Sequence, residues 1–326
     1  MRDYGSKITD KAVAQSLVKI QRVYAQAEKE LNRKLKAFRK RFEIRQKQMM
    51  KDLAAGIITK AEYESWMRGQ VFTGKRWQQK VNQAASIFGW ANKQAHKIIN
   101  KIKLWVFSEN YNKYAYDTEI KTGISFDIYN EEAVKRLIEE DPRILPEWKP
   151  DEKKDYIWNK QKVENSITQG IIQGESVDQI AERLAKDLQT GNMNKMRMFA
   201  RTALTGAQNA GRLKQMEDAK ARGIDIKKQW IATLDDRTRD THQHLDGAVV
   251  DIDQKFSNGL RYPGDPYGAA KEVFNCRCTM KSVFKGIDSH KGQRRAYRYN
   301  ENGYRESYIV ENMTYDEWKK WKEGQK

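Results

Sequence analysis

Residues 17–42, LVKIQRVYAQAEKELNRKLKAFRKRF, place Leu17, Ile20, Tyr24, Ala27, Leu31, Leu35, Phe38 and Phe42 at spacings of three or four. Those steps put all eight side chains on one stripe of an α-helix. No Pro or Gly interrupts the chain from Lys7 to Ala55. The stripe therefore predicts one long helix, seated on another helix or on a second copy of itself. Gly56 ends it, and Thr59 with Glu62 forms a capping box that opens a short helix carrying Tyr63 and Trp66.

The same region holds most of the charge. The 326-residue chain carries 62 Lys+Arg and 44 Asp+Glu, a formal net charge of +18. Residues 1–110 contribute 24 basic and 9 acidic groups, or +15, whereas residues 111–190 hold 12 and 17, or −5. Between Lys29 and Lys51 ten basic residues face only Glu30 and Glu43. A solvated helix would intersperse more acids for pairing along its surface, so the excess reads as a footprint for a polyanion, double-stranded DNA above all. The candidate contacts are Arg33, Lys34, Lys36, Arg39, Lys40, Arg41, Arg45 and Lys47, joined by Lys93, Lys97, Lys101 and Lys103 from the next helical pattern.

That second pattern runs from about Gly74 to Tyr116, with Val81, Ala84, Ala85, Phe88, Ala91, Ala95, Ile98, Ile99, Ile102 and Trp105 on its apolar side. Ser125–Tyr129 alternates weakly, as a short strand would, and Asn130 caps a helix through Glu140. Helices follow over 155–173 and, from a capping box at Ser176 and Gln179, to about Gln189; another covers Met193–Ala221 and ends at Gly223. Beyond it Lys227–Leu234 alternates as a strand, Asp246-Gly247 reads as a hairpin turn, and Cys278–Phe284 forms the last strand. The expected architecture is α+β and mostly helical. It comprises a basic helical hairpin or bundle (1–116), an acidic connector and packing layer (117–190), a small α+β domain (191–286) and a polar basic and aromatic tail (287–326).

The N-terminus lacks an apolar leader and no stretch is apolar enough to span a bilayer, so neither secretion nor a membrane partner is expected. The two cysteines, Cys276 and Cys278, sit one residue apart, which suits a reducing compartment better than a disulfide.

The C-terminal motifs are more specific. Arg201-Thr202 is followed by Gln208-Asn209-Ala210-Gly211, Trp230, and then Asp235, Arg237, Thr238, Arg239 and His242 within 233–242. Next come Asp246-Gly247, Pro263-Gly264-Asp265-Pro266 and Asn275-Cys276-Arg277-Cys278. In this order they resemble the phage Mu F-like head morphogenesis family over about residues 155–285. The resemblance implies a non-enzymatic minor head protein that joins the procapsid in a few copies. Such a protein would work inside the phage head near the portal, after assembly in the host cytoplasm. It implies contact with the portal and with packaged DNA, with the major capsid or scaffold protein and self-association as further candidates.

Two sets of residues invite chemistry. His242, His244, Cys276 and Cys278 supply two nitrogens and two sulfurs, enough for a tetrahedral zinc ion, the one cofactor the sequence suggests. The alternative has the cysteines flanking the start of a buried strand and His242 bonded to backbone. Asp235, Asp236, Asp240 and Asp246 with a histidine raise a metal-dependent nuclease as a rival function. Their spacing matches no catalytic set, and the other reading has Asp235 and Asp246 accepting turn hydrogen bonds while Arg237, Arg239 and Arg277 pair with them. A second rival is a portal adaptor whose basic face meets acidic protein instead of DNA.

Overall fold

A computed structural model describes residues 4–68, 75–173, 175, 177–233, 237–285, 293–299, 305–311, 320–321 and 323–324. The helices are α1 (Tyr4–Ala54), α2 (Lys60–Arg68), α3 (Lys75–Thr122), α4 (Glu131–Glu140), α5 (Glu152–Ile172) and α6 (Val177–Ala221). Strand β1 (Ile226–Ile231), helix α7 (Asp240–Gln243), strand β2 (Val249–Asp251), helix α8 (Ala270–Val273) and strand β3 (Thr279–Phe284) follow, before a hairpin of β4 (Gln293–Tyr299) and β5 (Arg305–Glu311). The main sheet is antiparallel in the order β2-β1-β3, with Trp230 opposite Met280 and Lys228 opposite Val250. The fold is thus α+β and mostly helical. No described helix is long and apolar enough to cross a membrane.

Two compact units arise from non-consecutive segments, 1–16 with 99–148 and 198–326, and 17–98 with 149–197. In the second unit the α1 stripe is filled from within the chain. Ile20, Tyr24, Ala27 and Leu31 are buried, Tyr24 stacks on Phe88 at 6.2 Å, and its hydroxyl donates to Asn92 of α3. The Leu35, Phe38 and Phe42 side chains lie outside the described residues. Asn92 Nδ2 donates to Asp155 Oδ2 at 2.9 Å, and Lys195 neutralises that buried carboxylate. The capping box at Thr59 is formed: its N–H donates to Glu62 Oε2 at 2.7 Å, and Glu62 N–H returns to Thr59 Oγ1 at 3.2 Å. The box expected at Ser176 lies outside the described residues.

Three local expectations fail, each for a packing reason. The helices expected over 176–189 and 193–221 are one, because Gly191 faces the Trp158 ring. A methyl group there would stand 2.5 Å from Trp158 Cη2, so the glycine marks a close contact in place of a break. Residues 125–129 form no strand. Their backbone groups are met by α3 side chains: Glu119 Oε1 accepts from Phe126 N–H at 2.6 Å, and Asn112 exchanges two hydrogen bonds with Tyr129 at 2.7 and 2.8 Å. Asp246-Gly247 is a turn leading into β2, since α7 intervenes between β1 and β2. At the end of α6, Gly223 at φ +83° and the bonds Gly223 N–H to Lys220 O and Ile224 N–H to Ala219 O make the expected left-handed cap.

Among the described residues two lysines are buried. Lys103 Nζ donates to Pro146 O and to Asn100 Oδ1, and Lys228 Nζ donates to Ile252 O at 2.8 Å beside the Phe256 ring. Burial pulls both ammonium groups down to about 8. Because the unfolded chain holds these protons up to about pH 10.4, it binds more protons than the folded one in the interval above 8. Stability is therefore expected to rise between pH 8 and about 10, by on the order of 1 kcal/mol for each lysine. Above that range the buried Tyr24 and Tyr111, whose phenols burial raises, act in the opposite direction. Urea unfolding at pH 8 and 9.5 measures this, and Lys103→Met should remove about half of the rise.

Candidate functional site

The motif residues converge on the C-terminal half of α6 and the loops that dock against it. Thr202 Oγ1 accepts from Asn275 N–H at 3.0 Å and donates to Met198 O. Asn275, the one non-glycine with positive φ among the described residues (58°), turns the chain between α8 and the Cys276-Arg277-Cys278 segment that leads into β3. Asn209 Nδ2 reaches Pro263 O at 2.9 Å and Cys278 O at 3.2 Å, tying two motifs to one helix position. Asn209 belongs to the quoted motif, but its role emerges only from the fold.

The Pro263–Pro266 turn shows why its glycine is needed. Gly264 has φ +79°, and its backbone lies so close to α6 that a methyl group on Gly206 would sit 2.7 Å from Gly264 O. Gly264→Ala is expected to cost roughly 2–4 kcal/mol, from the left-handed backbone and the lost close approach, visible as a lower urea midpoint. Asp265 closes the turn. Its carboxylate accepts from Arg261 at 2.8 and 2.9 Å and from the Tyr267 N–H at 3.2 Å. Burial alone would raise this carboxyl, yet the Arg261 hydrogen bonds hold it below the usual carboxylate range.

Asp246 Oδ1 accepts from Ala232 N–H at 2.8 Å, as the turn reading expects, and Gly247 at φ +81° donates to Trp230 O. Arg239 departs from that reading by donating to the Phe274 carbonyl. Thr238 donates to Thr233 O, and Thr233 donates to Arg277 O at 2.8 Å. Asp235 and Asp236 lie outside the described residues. Arg201, Arg237 and Arg277 come together with Thr9, Asp10 and Gln208 around a polar pocket of about 200 Å³.

Trp230 centres the local core with Leu245, Phe256, Leu260 and Val273, and it meets His242 edge-on at 5.1 Å. His242, Cys276 and Cys278 are buried together, with one ligand atom from each within 4.8 Å of the others. His242 Nδ1 lies 3.5 Å from Cys278 Sγ and 3.7 Å from Cys276 Sγ. On its far side Nε2 lies 3.1 Å from Glu272 Oε2, which also accepts from Thr241. His242 is therefore bonded to a side chain, not to backbone. The hydrogen bond between the thiols raises Cys276 and lowers Cys278, making Cys278 the thiolate of the pair.

His244 does not join this cluster. It is exposed at the end of α7 with Nδ1 2.7 Å from Asp240 O, because two residues along a helical turn rotate it about 200° from His242. Glu272, which the sequence reading passed over, stands behind His242 instead. Among the described residues no other group of three or more potential metal ligands forms.

The basic candidates divide. Arg33 and Lys34 pair with Glu30 at 2.8 and 3.5 Å, Lys47 with Glu43 at 2.9 Å, and Lys93 with Glu152 at 2.9 Å. Lys40, Arg45, Lys97 and Lys101 are exposed, whereas the Lys36, Arg39 and Arg41 side chains lie outside the described residues. Lys103 is no surface contact, being 3% exposed. Lys93, Lys97 and Lys101 recur every four residues, and two further steps carry position 103 to the opposite side of α3.

The phage Mu protein F-like family matches residues 161–281. Minor head protein GP7 of Bacillus phage SPP1 is 31% identical over 240 residues, which cover 70% of this chain and 73% of that protein. The NAD(+)–arginine ADP-ribosyltransferase EFV of Enterococcus faecalis is 36% identical over 160 residues, covering 48% of this chain but 31% of the enzyme. The uncharacterized protein YqbB of Bacillus subtilis is 29% identical over 128 residues, 37% of this chain and 41% of that protein. No solved structure matches. With the motif residues gathered on α6 and nearly three quarters of GP7 matched, the chain belongs to the Mu F-like family of phage minor head proteins.

Proposed function

We propose that this protein acts in phage head morphogenesis as an internal minor head protein that contacts the portal and binds packaged DNA without sequence preference. The observation that carries the reading is the match to GP7, a minor head protein, over 240 residues, about twice the span of the family's own C-terminal match. The charge distribution supports the DNA part: +15 resides in residues 1–110, where Lys40, Arg45, Lys97 and Lys101 remain exposed. Portal contact rests on the family resemblance. Enzymatic activity is not part of the proposal; the similarity to EFV spans 31% of that enzyme.

Co-expression with the portal protein of the same phage tests the arrangement. Co-purification that survives nuclease treatment, together with a shift of plasmid DNA at physiological salt, is the expected result. Portal binding with no DNA shift would favour the adaptor reading. Plasmid cleavage in magnesium or zinc, abolished by His242→Ala, would establish the nuclease.

A further inference from the structure

We propose that His242 Nδ1 and the thiolates of Cys276 and Cys278 bind one zinc ion, with Glu272 holding the imidazole from behind and a non-protein ligand such as water completing the tetrahedron. Zinc–sulfur and zinc–nitrogen bonds of about 2.3 and 2.0–2.1 Å place sulfur and nitrogen about 3.6 Å apart across a tetrahedral edge. The observed separations are 3.5 and 3.7 Å. Burial alternates along Cys276-Arg277-Cys278, both cysteines being buried and Arg277 half-buried between them, so the two thiols share a face and a single intervening residue is the right spacing.

The outer partner is that of a metal-binding histidine. A carboxylate facing Nε2 accepts its proton, which fixes the tautomer and turns the Nδ1 lone pair toward the sulfurs. Two thiolates balance a divalent cation, leaving no net charge at a position lined by Trp230. Sulfur with imidazole selects zinc over the hard cations, magnesium and calcium. The ion would join α7, through His242, to the segment that leads into β3.

The test uses the full chain purified from zinc-supplemented culture. One zinc per chain is expected by elemental analysis. Replacement by cobalt should give the near-ultraviolet sulfur-to-cobalt charge-transfer band and the visible bands of tetrahedral cobalt. His244→Ala should keep both signatures, and Glu272→Gln should keep the stoichiometry while weakening zinc affinity 10- to 100-fold in chelator competition. Cys278→Ser should lose most of the charge-transfer intensity. If that variant does not fold, the wild-type cobalt spectrum decides alone. Wild-type protein with well under one zinc per chain and no cobalt–thiolate band would overturn the proposal. So would loss of the metal in His244→Ala, or an intact mass two daltons low from a Cys276–Cys278 disulfide in freshly isolated protein.

Discussion

Raising salt from 50 to 200 mM weakens binding of the full chain to duplex DNA by about 10³-fold or more, the loss expected when six or more phosphates are neutralised. Two duplexes of unrelated sequence show nearly the same affinity in fluorescence anisotropy. Charge reversal at Lys40, Arg45 and Lys97, all exposed, reduces the slope of log affinity against log salt by about three, one for each lost phosphate. Lys103→Met leaves that slope unchanged, because its ammonium is spent on Pro146 and Asn100. Arg33, Lys34 and Lys47 have smaller individual effects, since each already shares a glutamate along its own helix. A salt-insensitive affinity would contradict electrostatic DNA contact altogether.

Arg212→Ala destabilises the protein by about 3–5 kcal/mol, enough to remove much of the stability of an ordinary domain. Arg212 is fully buried, and its guanidinium lies over the Tyr114 ring at 4.7 Å. Nε donates to Asn110 Oδ1 at 3.1 Å, while Nη1 donates to Met280 O at 3.0 Å, to the Tyr114 hydroxyl at 3.1 Å and to Thr279. One side chain on α6 thus joins α3 to the edge strand β3. The start of α1 is shaped to admit it: a methyl group on Gly5 would stand 2.5 Å from Arg212 Nη2. Truncation empties this buried space and removes a charged donor from each acceptor, although Met280 O keeps the Tyr114 hydroxyl and Thr279 Oγ1 keeps Gln208. Arg212→Lys recovers little, because a point ammonium cannot reproduce a planar fork. Urea unfolding followed by circular dichroism reads the loss, and a variant within 1 kcal/mol of wild type would show that these contacts do not hold the unit together.

The sequence made some of this architecture readable because the deciding signals were local. Periodicity from Leu17 to Leu31, the Thr59–Glu62 box, the Asn130 cap and Gly223 all act within a few residues, and each appears where the pattern places it. What escaped depended on partners distant in the chain. Gly191 reads as a helix end until Trp158 is known to occupy the space of its missing side chain. Residues 125–129 read as a strand because the pattern shows extended backbone but not that Glu119 and Asn112 satisfy it.

The metal cluster was half legible. His242, Cys276 and Cys278 stand out by residue type, whereas Glu272 looks like one more surface acid until the fold buries it behind the imidazole. At 100° per residue a helix turns His244 away from His242 and Lys103 away from Lys101, so two-residue spacings that look like pairs in the sequence point to different sides. Arg212 directly follows the Gln208-Asn209-Ala210-Gly211 motif, but its role as the junction of three elements depends on partners distant in the chain.

The central claim, an internal minor head protein, is tested most directly by quantitative mass spectrometry of DNA-filled heads purified from producing cells and treated externally with protease. The account predicts that this protein is retained at a few copies per head, protected to the same degree as the packaged genome. Its absence from purified heads, or its complete removal by protease while the heads stay intact, would contradict that account.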